Sequence, residues 1–459
     1  MKKILILIVL SVFWTLGSQS QNISKTSKNH YEYFLDFIKP NNSKTRQIAY
    51  KYINKHWTES DEILLLETIY LTKNPHTSDK LLLLLQKKTG LLINYNFNKW
   101  YRYIWNKPAT YNKQYFSFKA ELNQTIDSRF YTYFKDRDTL INIRLDEVRW
   151  GGVKQDGIPP LRNPNMITAN KANYLNDTDV VFGIEINGEF RAYPKRILAW
   201  HEMFTDTING VPLAGVYCTL CGTVILYKTQ HNGINYELGT SGFLYRSNKM
   251  MYDKKTQSLW STALGKPILG PLVNKNIELE YLSVVTTTWG AWKSLHPKTT
   301  VLSLNTGYKR NYNEGIAYKN YFSTDNLMFN TPKTTKRLKN KDEVLVVKDI
   351  KSGAEVIAIA SKFLVTNKIY HNTLNGKPFV VITSKSGAHR VYYSENINMH
   401  FKYYDNQFNT LKSSNLDTWL IEENSLIETK TNKKLQRLHS YNAFWFGILA
   451  TYNNVKLIK

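Results

Sequence analysis

The chain repeats itself. Slid by 166 positions without a gap, residues 180–228 lie on residues 346–394. Identities fall at Val180/Val346, Val181/Val347, Ile184/Ile350, Glu189/Glu355, Ala192/Ala358, Leu198/Leu364, Thr207/Thr373, Asn209/Asn375, Gly210/Gly376, Pro212/Pro378 and Tyr227/Tyr393. These are 11 matches in 49 positions, where ordinary composition predicts roughly one in sixteen. A shift of 156 further on lays Leu279, Leu282 and Trp289 on Leu435, Leu438 and Trp445. An Asn-Gly pair and the proline two residues beyond it recur in both segments. Asn-Gly supplies the two positive-φ residues of a tight hairpin turn, so each unit must contain hairpins.

The remaining punctuation fits that frame. "VVFGIEINGEFRAYP" carries a further Asn-Gly turn at Asn187-Gly188, and Pro194 suits the start of a short helix bearing His201 and Glu202. Residues 22–135 differ in character. "SKTRQIAYKYINKHW" places Ile48, Ala49, Tyr52, Ile53 and His56 near one helical face. "TESDEILLLETIYL" opens with capping residues and acids, and "TSDKLLLLLQKKTG" runs from Thr77 or Ser78 to a stop at Gly90. Leu81–Leu85 is apolar all round, as in a helix sandwiched between neighbours. Short helices with brief loops suggest helical hairpins, or a small helical repeat. The predicted fold class is therefore α+β: an N-terminal all-α helical-hairpin module followed by a tandemly duplicated, mainly-β unit. A Gly/Pro-rich lead-in spans 136–174, the first β copy 175–300, a linker 301–339 and the second copy 340–459.

The first twenty residues read as a signal peptide. Lys2 and Lys3 precede an apolar run from Ile4 to Leu16, with small residues before a cut after Ser20. That run is short of the roughly 20 residues a bilayer span needs, so no transmembrane segment is expected after cleavage. No cysteine follows the cut, which excludes a lipoprotein-type anchor. The expected location is exported, periplasmic or extracellular. Net charge is +25, and loss of the two lysines leaves +23. Without a dense Lys/Arg tract, this describes a basic solvated face or an anionic envelope surface as partner, and no nucleic acid is expected.

Chemistry concentrates in "VYCTLCGTVILY", which holds the only two cysteines, Cys218 and Cys221. At the 166 offset they face Ser384 and Gly387, and His201 faces Asn367. A turn that needed sulfur only for its shape would need it twice, so the comparison favours function. Three readings stand. A structural disulfide suits an oxidising compartment, although so short a loop yields little cross-link entropy. A thiol redox site would let one cysteine attack and the other resolve, with His201 or Arg246 tuning the thiolate. A metal site would use Cys218, Cys221 and His201 for copper or zinc, completed by His231, Met250, Met251 or Asp253. One knuckle supplies only two of the four ligands structural zinc requires. His201-Glu202 lacks the second histidine of a zinc-protease motif. Ser241 sits in no nucleophile-elbow pattern. Asp253 and Thr256 equally suit a turn, and Trp260 a core.

"WGGVKQDGIPPL", "FRAYPKRILAWHEMF", "YCTLCGT", "SNKMMYDKKTQSLW", "GKPILGPL" and "AFWFGILATY" together resemble the domain-of-unknown-function family numbered 3179, over roughly residues 145–457. "KKTGLLINYNFNKWYRYIW" is similar to the region that often precedes that domain. Some members are described as selenoproteins with selenocysteine in the counterpart of the cysteine motif, which implies redox chemistry at Cys218 and Cys221. Here the family's "YCPLCG" form reads "YCTLCG". The expected role is thiol–disulfide exchange with an unknown protein or small-molecule thiol partner and no cofactor. The alternative is binding of copper or zinc; the third is a non-enzymatic envelope or glycan-binding role.

Overall fold

A computed structural model describes residues 28–40, 42–348, 355–394, 399–403 and 409–459. The expected signal peptide at 1–20 lies outside them. Seven helices come first: α1 (Glu32–Leu35), α2 (Ser43–Lys55), α3 (Asp61–Leu71), α4 (Pro75–Thr89), α5 (Phe97–Trp105), α6 (Gln114–Gln124) and α7 (Tyr131–Phe134). Asn42 caps α2, its side chain accepting from the Thr45 N–H at 2.8 Å. α4 starts earlier than Thr77: Asn74 caps it and Pro75 fills the first position, where a missing N–H costs nothing. It ends at Gly90, at φ 73°.

Two apolar expectations fail here. Ala49 and Ile53 are buried, but Ile48 is 54 % exposed; likewise Leu81, Leu82, Leu84 and Leu85 are buried while Leu83 is 64 % exposed. An unbroken apolar run contains every face of a helix, and the neighbours cover only part of the circumference. The helices share one core with a sheet: Phe130, Tyr133 and Phe134 surround Phe243 at ring distances of 4.8, 5.9 and 5.1 Å.

The mainly-β region follows. Its first part holds β1 (Val180–Ile186), β2 (Glu189–Pro194), α8 (Lys195–His201), β3 (Met203–Ile208), β4 (Val211–Cys218), β5 (Thr223–Lys228), β6 (Leu238–Tyr245), β7 (Asn248–Asp253), β8 (Val285–Thr288), α9 (Trp289–Leu295) and β9 (Thr300–Leu302). A connecting segment contains the short helix α10 (Lys319–Phe322). The second part holds β10 (Glu343–Lys348), β11 (Val356–Ala360), α11 (Ser361–Thr366), β12 (Ile369–Leu374), β13 (Lys377–Thr383), β14 (His389–Tyr393), β15 (Ser440–Phe444), α12 (Trp445–Thr451) and β16 (Lys456–Ile458). The Asn-Gly hairpins form as expected: Asn187-Gly188, Asn209-Gly210 and Asn375-Gly376 all have positive φ between paired strands.

Strand order recurs between the two parts. One sheet contains the run β8-β1-β2-β9, extended beyond β9 by the antiparallel strand Met166–Thr168, and the other is β15-β10-β11-β16; in both four-strand runs the last pair is parallel and the others antiparallel. In each part a short helix then leads to a three-strand meander: β12-β13-β14 forms a sheet of its own, whereas β3-β4-β5 is flanked in a five-stranded sheet by Leu161–Arg162 and Glu280–Leu282.

The two parts share a core in which Val216, Ile225 and Tyr227 meet Val344, Tyr441 and Trp445. A buried charge cluster adds to the seam. Glu423 takes the Arg390 guanidinium, lies 3.8 Å from Arg437 and 3.2 Å from His296 on the other side. Burial alone would raise the Glu423 carboxyl; Arg390 and its hydrogen bonds instead hold it well below the carboxylate range.

Gly183 on β1 lies under Trp292, whose ring would be 2.4 Å from an added Cβ. Gly183→Ala should therefore cost about 1–3 kcal/mol through overpacking, read as a lower urea midpoint with unchanged slope. Burial pushes His389 down to about 4, with Arg390 adding to it, and pushes His439 down to about 3, with Lys348 and Arg437 adding. The folded chain refuses protons that the unfolded chain takes near pH 6.5. Stability should be full above that pH and fall as pH drops toward 4. Because His439 Nε2 has no hydrogen-bond partner among the described residues, His439→Leu should flatten the slope of unfolding free energy between pH 6.5 and 5.

Candidate functional site

The cysteines sit where β4 ends and β5 begins. Cys218 pairs with Thr223 across the hairpin, and Thr219, Leu220, Cys221 and Gly222 form the turn. Gly222 takes φ 62°, and a Cβ there would lie 2.9 Å from the Phe444 ring. Three hydrogen bonds pin the turn: the Phe444 N–H donates to the Cys221 carbonyl at 2.8 Å, Tyr321 OH to the Leu220 carbonyl at 2.7 Å, and Thr219 Oγ1 to Glu202 Oε1 at 2.5 Å. Both thiols are free, and both are buried, Cys218 at 2 % and Cys221 at 0 % exposure. Phe444, Phe446, Tyr321 and Phe329 pack with them.

The two sulfurs are not equivalent. Burial pushes Cys218 upward, but hydrogen bonds from the Cys221 thiol and from the N–H groups of Lys249 and Cys221 outweigh it and hold that thiol below its ordinary value. Burial pushes Cys221 well above the ordinary value, and its neighbour's charge pushes it further. Thr223 opposes this with its Oγ1, donating to Sγ at 3.3 Å, and with its backbone N–H.

A buried ion pair lies beside Cys218. Lys249, on β7, donates to the Glu202 carbonyl at 3.0 Å and lies 3.6 Å from Glu202 Oε2. Burial lowers the Lys249 ammonium; the Glu202 and Cys218 charges oppose that shift. Tyr318 OH adds a contact to Glu202 at 3.3 Å. Glu202 reaches this position because it closes α8 in the left-handed region, at φ 55°, which turns the chain straight into β3.

Sequence reasoning assigned the tuning role to His201 or Arg246, and the structure brings neither to the sulfurs. His201 is fully buried, but its Nδ1 bonds the Pro159 carbonyl at 2.8 Å and its Nε2 the Tyr312 hydroxyl at 2.6 Å. Burial lowers its imidazole, and the positive charge acting on it is that of Arg310. Arg246 sits in the β6–β7 turn, where it holds Glu147 at 2.6 Å and the Ala450 carbonyl at 3.2 Å. The physical reason is the end of α8: His201 is its last residue and is buried against the lead-in at Pro159, whereas Glu202 takes the left-handed conformation that redirects the chain and carries its side chain to Lys249. Lys249 and Glu202 were missed. A lysine within "NKMMYD", a strand buried along its whole length, was the available signal, since a buried ammonium needs a carboxylate.

Of the residues offered to complete a metal site, His231 lies on the short strand Gln230–His231, paired with Ile234–Asn235, and Met250, Met251 and Asp253 are engaged elsewhere. Met250 and Met251 are core residues. Asp253 accepts from the Thr256 N–H and hydroxyl and from Trp260 Nε1, so it shapes the turn. Ser241 donates to the Met250 carbonyl. Among the described residues no group of three or more His, Cys, Asp or Glu is placed to hold a metal ion, and no helix is long and apolar enough to cross a membrane.

The family described as "Protein of unknown function (DUF3179)" matches residues 155–454. The chain belongs to this family. No curated protein and no solved structure matches it. The matched span takes in β1 to α12, so the DUF3179 domain includes the cysteine turn, the Lys249–Glu202 pair and the second β part that closes over them.

Removing the ammonium alone leaves a buried carboxylate uncompensated. Lys249→Met should cost about 3–5 kcal/mol. Adding Glu202→Gln to that variant should recover part of the loss, giving a coupling of about 0.5–3 kcal/mol in a double-mutant cycle of denaturation midpoints.

Proposed function

We propose that Cys218 and Cys221 are a thiol–disulfide redox pair of an exported protein, with Cys218 the attacking sulfur. The carrying observation is the unequal setting of two adjacent free thiols. Cys218 receives the amides of Cys221 and Lys249 and the Cys221 thiol, which together outweigh its burial and the opposing Glu202 charge, whereas the hydroxyl and amide of Thr223 do not offset the burial of Cys221 among aromatic rings. Such a setting stabilises a thiolate at one position and a neutral thiol at the other. The signal-like N-terminus supports export, and the second part, read as a copy of the first, keeps the hairpins with Ser384 and Gly387 where the cysteines stand.

The chemistry balances within the pair and its partner. The Cys218 thiolate attacks one sulfur of a partner disulfide; that S–S bond breaks and the other sulfur leaves as a thiolate. This leaving thiolate takes the Cys221 proton. Cys221 then attacks Cys218 Sγ, the mixed disulfide breaks, and the partner's second sulfur departs as a thiolate. Two electrons pass to the partner, and the pair becomes a disulfide. Because Phe444, Phe446 and Tyr321 pack over the turn, exchange requires this aromatic cover to part.

Oxidised glutathione is a suitable probe. Cys221→Ser should accumulate one stable mixed disulfide on Cys218, detected by intact mass, while the native pair resolves it and ends as an internal disulfide. Cys218→Ser should react far more slowly. An adduct only in Cys218→Ser, or no reaction in any folded form, would sink the assignment.

A further inference from the structure

A cleft of about 280 Å³ opens between the two β parts, beside the cysteine turn at Gly222. It lies just below the range typical of small-molecule sites, roughly 300–1,000 Å³. Its walls come from both parts: Lys195, Thr287 and Tyr217 from the first, Glu343, Ser361, Ser386 and His389 from the second. The parts touch there through Thr287 Oγ1 and Ser386 Oγ at 3.1 Å.

Three features mark it as built for a ligand. Lys195 and Glu343 both line it, one from each side, and among the described residues neither has an ion-pair partner; the Lys195 ammonium faces the Phe322 ring at 5.3 Å. An ammonium and a carboxylate in one cleft that do not neutralise each other are complementary to a molecule bearing both charges. His389 is only 5 % exposed, and its Nδ1 is engaged by Thr383 at 2.9 Å. It lines the cleft, and among the described residues no hydrogen bond engages its Nε2. The hydroxyls of Thr287, Ser361 and Ser386 add neutral hydrogen-bonding groups.

We propose that this cleft binds a small zwitterion of the amino-acid or short-peptide type, its carboxylate at Lys195 and its ammonium at Glu343. A simple anion fits less well, because Glu343 stands against it. A short peptide has room to extend. A larger cavity of about 860 Å³ along α11 shares Glu343, Ser361 and Val365 with this cleft. The inference is independent of the redox reading, since neither sulfur lines the cleft.

Calorimetric titration of the whole protein with alanylalanine, the twenty free amino acids, N-acetyl-alanylalanine and alanylalanine amide tests it. Saturable binding of at least one unblocked compound is expected. Blocking either end should weaken binding about 10–100-fold, the loss of one charge-assisted hydrogen bond. Lys195→Met should abolish discrimination against the blocked carboxylate, and Glu343→Gln discrimination against the blocked amine. Replacing both cysteines by serine should leave affinity unchanged, which separates this inference from the fate of the redox pair. Neither Lys195 nor Glu343 holds an ion pair, so unliganded melting of both variants should match the native protein and exclude misfolding. Absence of saturable binding by every probe, or binding indifferent to both blocking groups, would overturn the proposal.

Discussion

One hydrogen bond marks the place on which the rest of the molecule converges: the amide of Phe444 donating to the carbonyl of Cys221. It joins the end of β15 in the second β part to the turn that carries both sulfurs in the first. Around it the seam tightens. Arg246 reaches the Ala450 carbonyl, Asn248 reaches the Gly447 carbonyl and Thr451, and Tyr321 from the connecting segment fastens Leu220. The bonds that dock the second part are the ones that cover the turn, and each exchanges a bond to water for an internal one worth a net of about 0.5–1.5 kcal/mol. Docking of the two parts and closure over the cysteines are therefore one event.

Closure sets the chemistry. In a dry interior a thiolate, an ammonium and a carboxylate survive only together. Lys249 answers Glu202, and both lie in the field that reaches Cys218. The Glu423 cluster solves the same problem with two arginines and a histidine from across the seam. The two clusters differ in what they leave free. Glu423 is held by donors from two arginines and a histidine, whereas the turn keeps two free thiols not joined in a disulfide.

Much of the fold was legible in the residues because hairpin turns are local. Asn187-Gly188, Asn209-Gly210 and Asn375-Gly376 need only their own positive φ values, and the strands on either side follow. Helix limits were legible for the same reason at Gly90, less so at Pro75, whose cap Asn74 lay before the run that drew attention. Facing was not. Ile48 and Leu83 sit among apolar neighbours in sequence and yet meet solvent, since coverage depends on which elements pack nearby. The site divides in the same way. Cys218 and Cys221 stand out by type and spacing; His201 and Arg246 stood out by proximity in sequence and turned elsewhere.

By itself, the order of residues determined the helical beginning, the Asn-Gly hairpins and the presence of two sulfurs in one turn, because each is a matter of local backbone geometry or residue type. Only tertiary structure decided that Lys249, thirty-one positions after Cys218, lies against Glu202 and that the second β part roofs the turn. Partners so distant in the chain are selected by packing and by the cost of burying charge, which no short stretch of sequence records.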